Sequence, residues 1–434
     1  MFDAVVAWLF FTILGALPML LTGFFLCTLN NMLKRIISII SISFVLGFTV
    51  RAYSQSFADA LKDGFSPLTN LLAGDSSSVK KNDASKNKLQ ALTLKDGTVY
   101  VGEMKGKRPH GQGKAIYKNG DVYEGSFVKG RRNGKGEYRF KNGERYVGNF
   151  KDNCQHGEGV LYYSDGRKYS GAWEKDCRHG YGRMDYTNGD FYVGSWESNE
   201  RSGSGSYFYA DGGSYVGEWK DDRRNGMGTF VWPDNSRYLG AWNNGMRSGN
   251  GRYQAPDGTV YDGGWLNNLY EGYGKLEYAN GDVYEGMFSG GEWHGHGKYT
   301  FADGTYYDGN FAKGVRQGHG KMLFPGGAVY DGAWKDGKRH GKGKYTWGNG
   351  DVYEGEWKDD TMHGAGVLRR NNGIKYKGGF ANGLEHGAGV AEDKNGVRYE
   401  GTFENGMRHG KFIVKDKNGE VLRECVYNSG NTEQ

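Results

Sequence analysis

Cysteine is nearly missing from this chain: Cys27, Cys154, Cys177 and Cys425 are the only four in 434 residues. They make no disulfide scaffold and suit a reducing compartment better than a secreted one. Proline is also scarce, 6 against 75 glycines, and no Gly-X-Y period exists, which excludes collagen. An excess of one charge is lacking too. The 56 basic and 50 acidic residues leave a net +6, so attraction to nucleic acid is not forced. No Gly-Lys-Ser/Thr follows a spaced glycine pair, which removes the phosphate-binding loop. No Ser or Cys stands apart as a nucleophile.

Glycine and aromatic rings dominate what remains. Aromatics make up 15% of the chain, more than a disordered glycine-rich linker carries. The glycines are unevenly spread: residues 1–99 hold six, residues 422–434 hold one, and the other 68 lie between Tyr100 and Val421.

The first hundred residues are a different polymer. Ala4 to Leu29 is a run of 26 residues without a charge, longer than the ~20 that span a bilayer core as a helix. It is expected to be a transmembrane helix within an anchor over residues 1–52. A cleaved signal peptide fits less well, because Asp3 precedes the run and no Lys or Arg does. A second apolar stretch, Ile36 to Val50, is either a second crossing or an interfacial segment. With one span, Lys34, Arg35, Arg51 and Lys62 place the rest of the chain in the cytosol; with two, it lies on the other side. The cytosolic arrangement is preferred. Residues 53–99 follow as an amphipathic segment, with Phe57, Leu61, Phe65, Leu68 and Leu72 at helical spacing, and a polar linker.

From residue 100 the chain repeats. Tyr recurs at 100, 123, 146, 169, 192, 215, 238, 261, 284, 307, 330, 353, 376 and 399, a 23-residue period without insertion, giving fourteen units over 100–421. Counting from the Tyr, the third and twelfth positions are always Gly. The fifth is Phe or Trp except at Met104, and the fourteenth is Gly except at Phe412. In Tyr330-Gly332-Trp334 and Gly341-Gly343-Tyr345 the period is two, so each unit should hold two strands with rings and glycines on one face. Each Gly then leaves a slot over which a neighbouring ring lies. Asn-Gly or Asp-Gly at the twentieth and twenty-first positions predicts a two-residue type I′ turn joining successive units, with a longer loop around Asp336-Gly337. About 28 strands at ~4.8 Å would make an elongated single-layer antiparallel sheet on the order of 130 Å along its curve. Residues 422–434 are expected to be a tail.

The Tyr-x-Gly-x-Trp motif, its downstream His-Gly-x-Gly and the Asn-Gly turn at this spacing resemble the MORN (membrane occupation and recognition nexus) family. The resemblance covers residues 100–421. It implies a β-hairpin array that acts as a scaffold, a dimerisation surface or a membrane-associated module. Such arrays accompany lipid kinase or methyltransferase domains, or form junctophilin-like tethers between membranes. With 13 residues after the last unit, no appended catalytic domain is expected.

The chemistry-bearing residues mostly obey the repeat. Eight of the ten His hold the eleventh position, where other units put Asn, Ser, Glu271 or Gln317; a site so tolerant reads as hydrogen bonding rather than catalysis. Cys154-Gln155-His156 and Cys177-Arg178-His179 suggest zinc, but equivalent atoms two strands apart sit ~10 Å from each other, too far for one ion. No metal and no cofactor is expected. The repeat block nets only +4, 46 basic minus 42 acidic residues, against nucleic-acid binding. One asymmetry stands out. The ninth and tenth positions carry Arg108, Arg131, Arg132, Arg178, Arg201, Arg223, Arg224, Arg247, Arg316, Lys338, Arg339 and Arg408. The opposite edge carries Asp121, Glu144, Asp190, Asp211, Asp282, Asp303 and Asp351. These are either two solvated edges or, on the basic side, a strip for anionic lipid or an acidic protein. The last three units lose their second-strand rings, which suggests a solubilising cap; the family resemblance suggests pairing of two chains there. The expectation is a non-enzymatic, membrane-anchored scaffold that binds partner proteins or anionic lipid. A tether between two membranes and a regulatory subunit of an enzyme supplied in trans are the alternatives.

Overall fold

The computed structural model describes residues 90–433, and these form one antiparallel sheet of 31 strands, each paired with its neighbours in the chain. Every unit supplies a seven-residue strand and a nine-residue strand, such as Val329–Lys335 and Lys338–Thr346. The sheet starts before the first unit, at Gln90–Thr93, and continues past the last through Val421–Asn428 and Asn431–Glu433. The segments expected to form the anchor, 4–29 and 36–50, and the amphipathic segment 53–72 lie outside the described residues. Among the described residues no helix is long and apolar enough to cross a membrane.

The glycines line up in the register. Gly332 sits opposite Gly343, and Gly343 opposite Gly355, so a file of bare backbone crosses the strands. The first-position tyrosines fill it. The ring of Tyr330 occupies the space that a Cβ on Gly343 would need, and the backbone Cα of Gly343 occupies that of a Cβ on Gly332. Tyr330 is fully buried, as are its equivalents from Tyr100 to Tyr353. Burying a phenol demands a hydrogen-bond partner, and the fold provides one through a bulge. The ladder skips Ala333 between Gly332 and Trp334, and the Tyr330 hydroxyl donates to the Ala333 carbonyl at 2.8 Å. The fifth-position ring stands on edge beside this tyrosine. Trp334 meets Tyr330 at 5.2 Å and 87°, and meets Tyr307 of the preceding unit at 5.3 Å and 87°. Its indole N–H donates to the Gly320 carbonyl. Edge-to-face contacts of this kind, worth ~0.5–1.5 kcal/mol each beyond area burial, run from Tyr100 to Phe403 as an unbroken spine.

The two connections are the reverse of the sequence expectation. The two-residue turn is inside the unit, at Asp336-Gly337, with φ of 49° and 80°. Asp152-Asn153 and Lys175-Asp176 adopt the same left-handed pair without glycine. The Asn-Gly pairs lie in the wider connection between units, where only the Gly has positive φ. The cause is local: the Asn349 side-chain oxygen accepts from the Asp351 N–H at 3.0 Å, an Asx turn that holds Asn349 out of the left-handed region.

At the C-terminal end the pattern closes on itself. Phe412 replaces the slot glycine, and its ring covers Gly401. Tyr399 then stacks under the Arg408 guanidinium at 3.6 Å. A bulge at Val414/Lys415 lets Tyr427 take the fifth-position role one residue late, and it meets Phe412 edge-on at 5.1 Å.

Substituting Gly343→Ala forces a methyl into the Tyr330 ring and should cost about 1–3 kcal/mol locally. Hydrogen exchange across 329–346 should speed up by roughly tenfold or more, since ~1.4 kcal/mol is a factor of ten. Gly314→Asn, at φ 75° with nothing within 4 Å of its Cβ, should leave exchange unchanged. Equal effects of the two would reject the slot as the reason for the fourteenth-position glycine.

Candidate binding face

Strand parity divides the twelve basic residues into two sets. A two-residue turn places the tenth position directly across from the fifth, as Trp334 sits opposite Arg339. Tenth-position side chains therefore point to the aromatic face, and ninth-position ones point away. Each tenth-position arginine lies over the ring of the following unit: Arg201 over Trp219 at 4.3 Å, Arg224 over Trp242 at 4.3 Å, Arg247 over Trp265 at 4.2 Å and Arg316 over Trp334 at 4.4 Å. Arg132, Arg178, Arg339 and Arg408 also stack on rings. Half-buried cation–π pairs contribute ~0.5–2 kcal/mol.

The same guanidinium holds the next unit's tight turn. Arg201 donates to the Asp222 carbonyl at 2.8 Å, and Arg339 to the Asp360 carbonyl at 2.8 Å. Asp222 and Asp360, both in the eighth position, also accept from these arginines through their carboxylates. Arg224, Arg247 and Arg316 reach the same carbonyl, but the eighth position facing them is Gly245, Asn268 or Gly337. The ninth-position set, Arg108, Arg131, Arg223 and Lys338, is exposed on the edge; Arg131 pairs with Asp152 at 3.2 Å.

The acidic residues at the opposite edge are also used by the fold. Asp121 accepts the Tyr138 hydroxyl at 2.7 Å and the Lys141 N–H at 2.8 Å, both from the next unit. Asp190 does the same with Tyr207 and Ala210, and Asp282 with Tyr299 and Ala302. Asp351 accepts from the Asn371 N–H. Asp211 and Asp303 make Asx turns within their own loops. At the eleventh position Glu271 and Gln317 accept backbone N–H groups of the next turn, from Gly290 and Asp336, while His179 and His409 approach Glu174 and Glu404. Cys154 and Cys177 are free thiols. Among the described residues no three His, Cys, Asp or Glu converge in a way that could hold a metal.

The other face of the sheet behaves differently along its length. From Arg252 to Glu354 it is a ladder in which Arg252, Asp262, Lys275, Glu285, Lys298, Asp308, Lys321, Asp331, Lys344 and Glu354 sit opposite one another in turn. Five bases and five acids cancel there. The aromatic face has no such cancellation at Arg224 and Arg247. It forms a groove of about 340 Å³ between them, walled by Tyr209, Phe230, Trp232 and Trp242. In the sequence, positions nine and ten form one basic strip; the fifth-position ring opposite the tenth is the signal that separates them.

The Asp121–Tyr138 link should make one junction pH-sensitive. Burial raises the Asp121 pKa, but the Lys141 N–H, the Tyr138 hydroxyl and the Asn119 amide outweigh it and leave the carboxyl below its ordinary 3.8. Burial, then the hydrogen bond to Asp121, pushes Tyr138 up to about 12. Asp121 therefore contributes stability above pH 3.8 that is lost as pH falls through its lowered value. Tyr138 contributes stability below pH 10.0 that is lost as pH rises towards about 12. The exchange protection factor of the Lys141 amide should fall at both limits, and Asp121→Asn should abolish the acid limb. A flat acid limb in the parent protein would contradict the link.

Comparison with known proteins agrees with the repeat. No curated protein sequence matches the chain. Among solved structures, the TCP domain of SAS-4 (dCPAP) from Drosophila melanogaster, in complex with a proline-rich motif of Ana2, is similar at 14% identity and TM-score 0.22, covering 42% of this chain and 84% of that one. The TCP10 domain of CPAP from Danio rerio is similar at 11% identity and TM-score 0.13, covering 78% and 100%. A virginiamycin B lyase from Staphylococcus aureus is similar at 13% identity and TM-score 0.12, covering 73% and 96%. At these scores the likenesses carry no inference for this chain. The model of the MORN repeat, in contrast, matches fourteen successive segments from residue 100 to residue 411. Such repeats suggest a scaffold that binds proteins or lipids. On those fourteen matches, and on the all-β hairpin array that they form, the chain belongs to the MORN-repeat family.

Proposed function

We propose that this protein is a non-enzymatic scaffold, held at a cytosolic membrane face by its N-terminal apolar run, whose aromatic face gathers partner proteins. The observation that carries this reading is the row of half-buried rings and guanidiniums repeated along one face. It suits an extended partner better than a small substrate: the groove is open, and its polar groups are spread along the sheet rather than converging on one point. The 26 uncharged residues from Ala4 to Leu29 supply the anchor. Any contact with a flat anionic lipid surface falls to the ninth-position residues Arg108, Arg131, Arg223 and Lys338, because they are exposed on the edge while the tenth-position arginines lie half-buried within the aromatic face.

The test uses the full chain with a C-terminal tag. In cells whose plasma membrane is selectively permeabilised, added protease should remove the tag. Deleting residues 1–52 should move the protein from the membrane fraction to the soluble one, and proximity labelling should return a reproducible set of neighbours. A protected tag would reverse the topology, and an unchanged fraction after the deletion would remove the anchor. Labelling no different from that of an anchored inert reporter would remove the scaffold.

A further inference from the structure

The groove at units six and seven sets two tenth-position arginines without a facing carboxylate side by side, where Arg132 and Arg316 stand singly. Arg178, Arg201, Arg224 and Arg247 occupy the tenth position in four consecutive units. Arg201 has the Asp222 carboxylate at 2.8 Å. Arg178 meets Asn199, Arg224 meets Gly245 and Arg247 meets Asn268, none of which brings a negative charge. Burial lowers the pKa of Arg224, with a further push from Arg201; Arg247 is lowered by burial and, to a smaller extent, by Arg224. Asp211 also lines the groove, where its carboxylate is held by the Gly213 N–H at 2.9 Å and makes no ion pair with Arg224 or Arg247. Two half-buried cations with open space in front of them are electrostatically incomplete.

Spacing indicates what completes them. Each unit advances two strands, about 9.6 Å at ~4.8 Å per strand, so successive guanidiniums recur at about that interval. A polyproline-II chain rises ~3.1 Å per residue with three residues per turn. Every third side chain therefore returns to the same side after ~9.3 Å. An ordinary β-strand cannot match this, because residues three apart point to opposite faces. The groove also has Tyr209, Phe230, Trp232 and Trp242 on its walls, the flat apolar surfaces on which such a chain packs.

Resting on the scaffold reading, we infer that this groove binds an acidic segment of a partner protein in polyproline-II conformation, with carboxylates three residues apart facing Arg224 and Arg247 and a further one, six residues from the Arg224 site, facing Arg178. Arg201, already paired with Asp222, contributes a ring-stacked wall rather than a charge site. The flanking units narrow the register. On the C-terminal side the tenth position changes to Tyr270 and Trp293, which stack on Tyr261 at 3.8 Å and Tyr284 at 4.8 Å, so the acidic stretch ends there and an apolar or aromatic residue follows. On the N-terminal side Gln155 takes the place of an arginine.

The structure offers a test that leaves every arginine in place. Gly245 has φ 84° with nothing within 4 Å of a Cβ, and aspartate already holds the equivalent position at Asp222 and Asp360 with φ 61° and 71°. The double variant Gly245→Asp and Asn268→Asp therefore hands Arg224 and Arg247 the carboxylates that Asp222 and Asp360 give their neighbours. It should fold with an unchanged or raised Tm. The probe is a fluorescein-labelled (Glu-Pro-Pro)5 peptide, read by anisotropy with the full-length protein in detergent. (Lys-Pro-Pro)5 and an acidic peptide of the same composition with paired glutamates serve as controls.

The parent should bind (Glu-Pro-Pro)5 at least about tenfold more tightly than either control, and the double variant should lose that preference. Arg131→Gln with Arg223→Gln, on the exposed edge, should leave it intact. Equal binding by parent and double variant, or no preference for third-residue spacing, would overturn the proposal. If phosphatidylserine vesicles bound in place of the peptide and lost binding in the double variant, the groove would be a headgroup site and the peptide proposal would also fall. Proximity labelling separates this from failure of the scaffold reading. Neighbours retained by the double variant together with lost peptide preference would keep the scaffold but remove this groove as its contact. Absence of neighbours for the parent would remove the scaffold itself.

Discussion

One contact sets the terms for the rest: a tyrosine ring lying over a file of glycines, with its hydroxyl on a carbonyl that a β-bulge has released. A single-layer sheet has no second layer to bury its rings against. The slot solves this by letting the backbone of the neighbouring strand serve as the other layer. The indole or phenyl ring at the fifth position then closes the slot edge-on and touches the tyrosine of the preceding unit, so that no unit is complete alone. This is why the period tolerates no insertion. A one-residue slip would turn each ring to the solvent face and bring a side chain against the tyrosine in place of a glycine. Phe412 shows the limit of the rule: once a ring replaces the slot glycine, Tyr399 leaves the slot and the next strand needs a bulge to restore the spine at Tyr427.

The charged residues at the two edges follow from the same geometry. Unit-to-unit stacking leaves turns projecting from the sheet, each with backbone groups to satisfy. At the wide turns an aspartate reaches forward to the next unit's N–H and tyrosine hydroxyl, as Asp121, Asp190 and Asp282 do. At the tight turns an arginine reaches forward to a carbonyl while covering a tryptophan. Both devices join one unit to its successor, which makes the nearest-neighbour coupling of the array polar as well as hydrophobic. Basic and acidic edges thus arise largely without reference to any ligand. Only the residues that the devices leave unpaired are informative about binding.

Much of this was legible in the spacing of residues, and the reasons for the gaps are specific. Period-two alternation in Tyr330-Gly332-Trp334 identifies the strands and the buried face, because parity along a strand is unforgiving. The turns were exchanged because Asn-Gly is the residue pair that type I′ turns prefer, yet here Asn349 is held by its own side-chain hydrogen bond. The true tight turns use Asp152-Asn153 or Lys175-Asp176, which carry no glycine signal. The split between Arg131 and Arg132 depends on that turn length. With a longer loop both would be edge residues, and with two turn residues they face opposite sides. The strands at 421–428 and 431–433 look like a tail in the sequence because the fifth-position ring arrives one residue late, and a bulge cannot be seen in a strict period.

A repeat that is this uniform confines recognition to positions that can vary without disturbing the slot. The eighth and tenth positions are the clearest such pair. At the tenth, Tyr270, Trp293 and Met362 pack on the same spine as the arginines, and Glu385 sits opposite Phe380 and pairs with Arg370, so the fold accepts a cation, a ring, a thioether or an acid there. At the eighth, Asp, Asn and Gly all adopt the left-handed turn, so the charge opposite each arginine can be set or withheld at little conformational cost. Changing one residue of the pair changes the local field of the face by a full charge, while every ring stays in its slot. Units with Arg and Asp are closed. Units with Arg and Gly or Asn are open, and units with Tyr or Trp are neutral. The face of the sheet is therefore written in two positions per unit, and the groove at Arg224 and Arg247 is where two open units stand side by side with rings on their flanks.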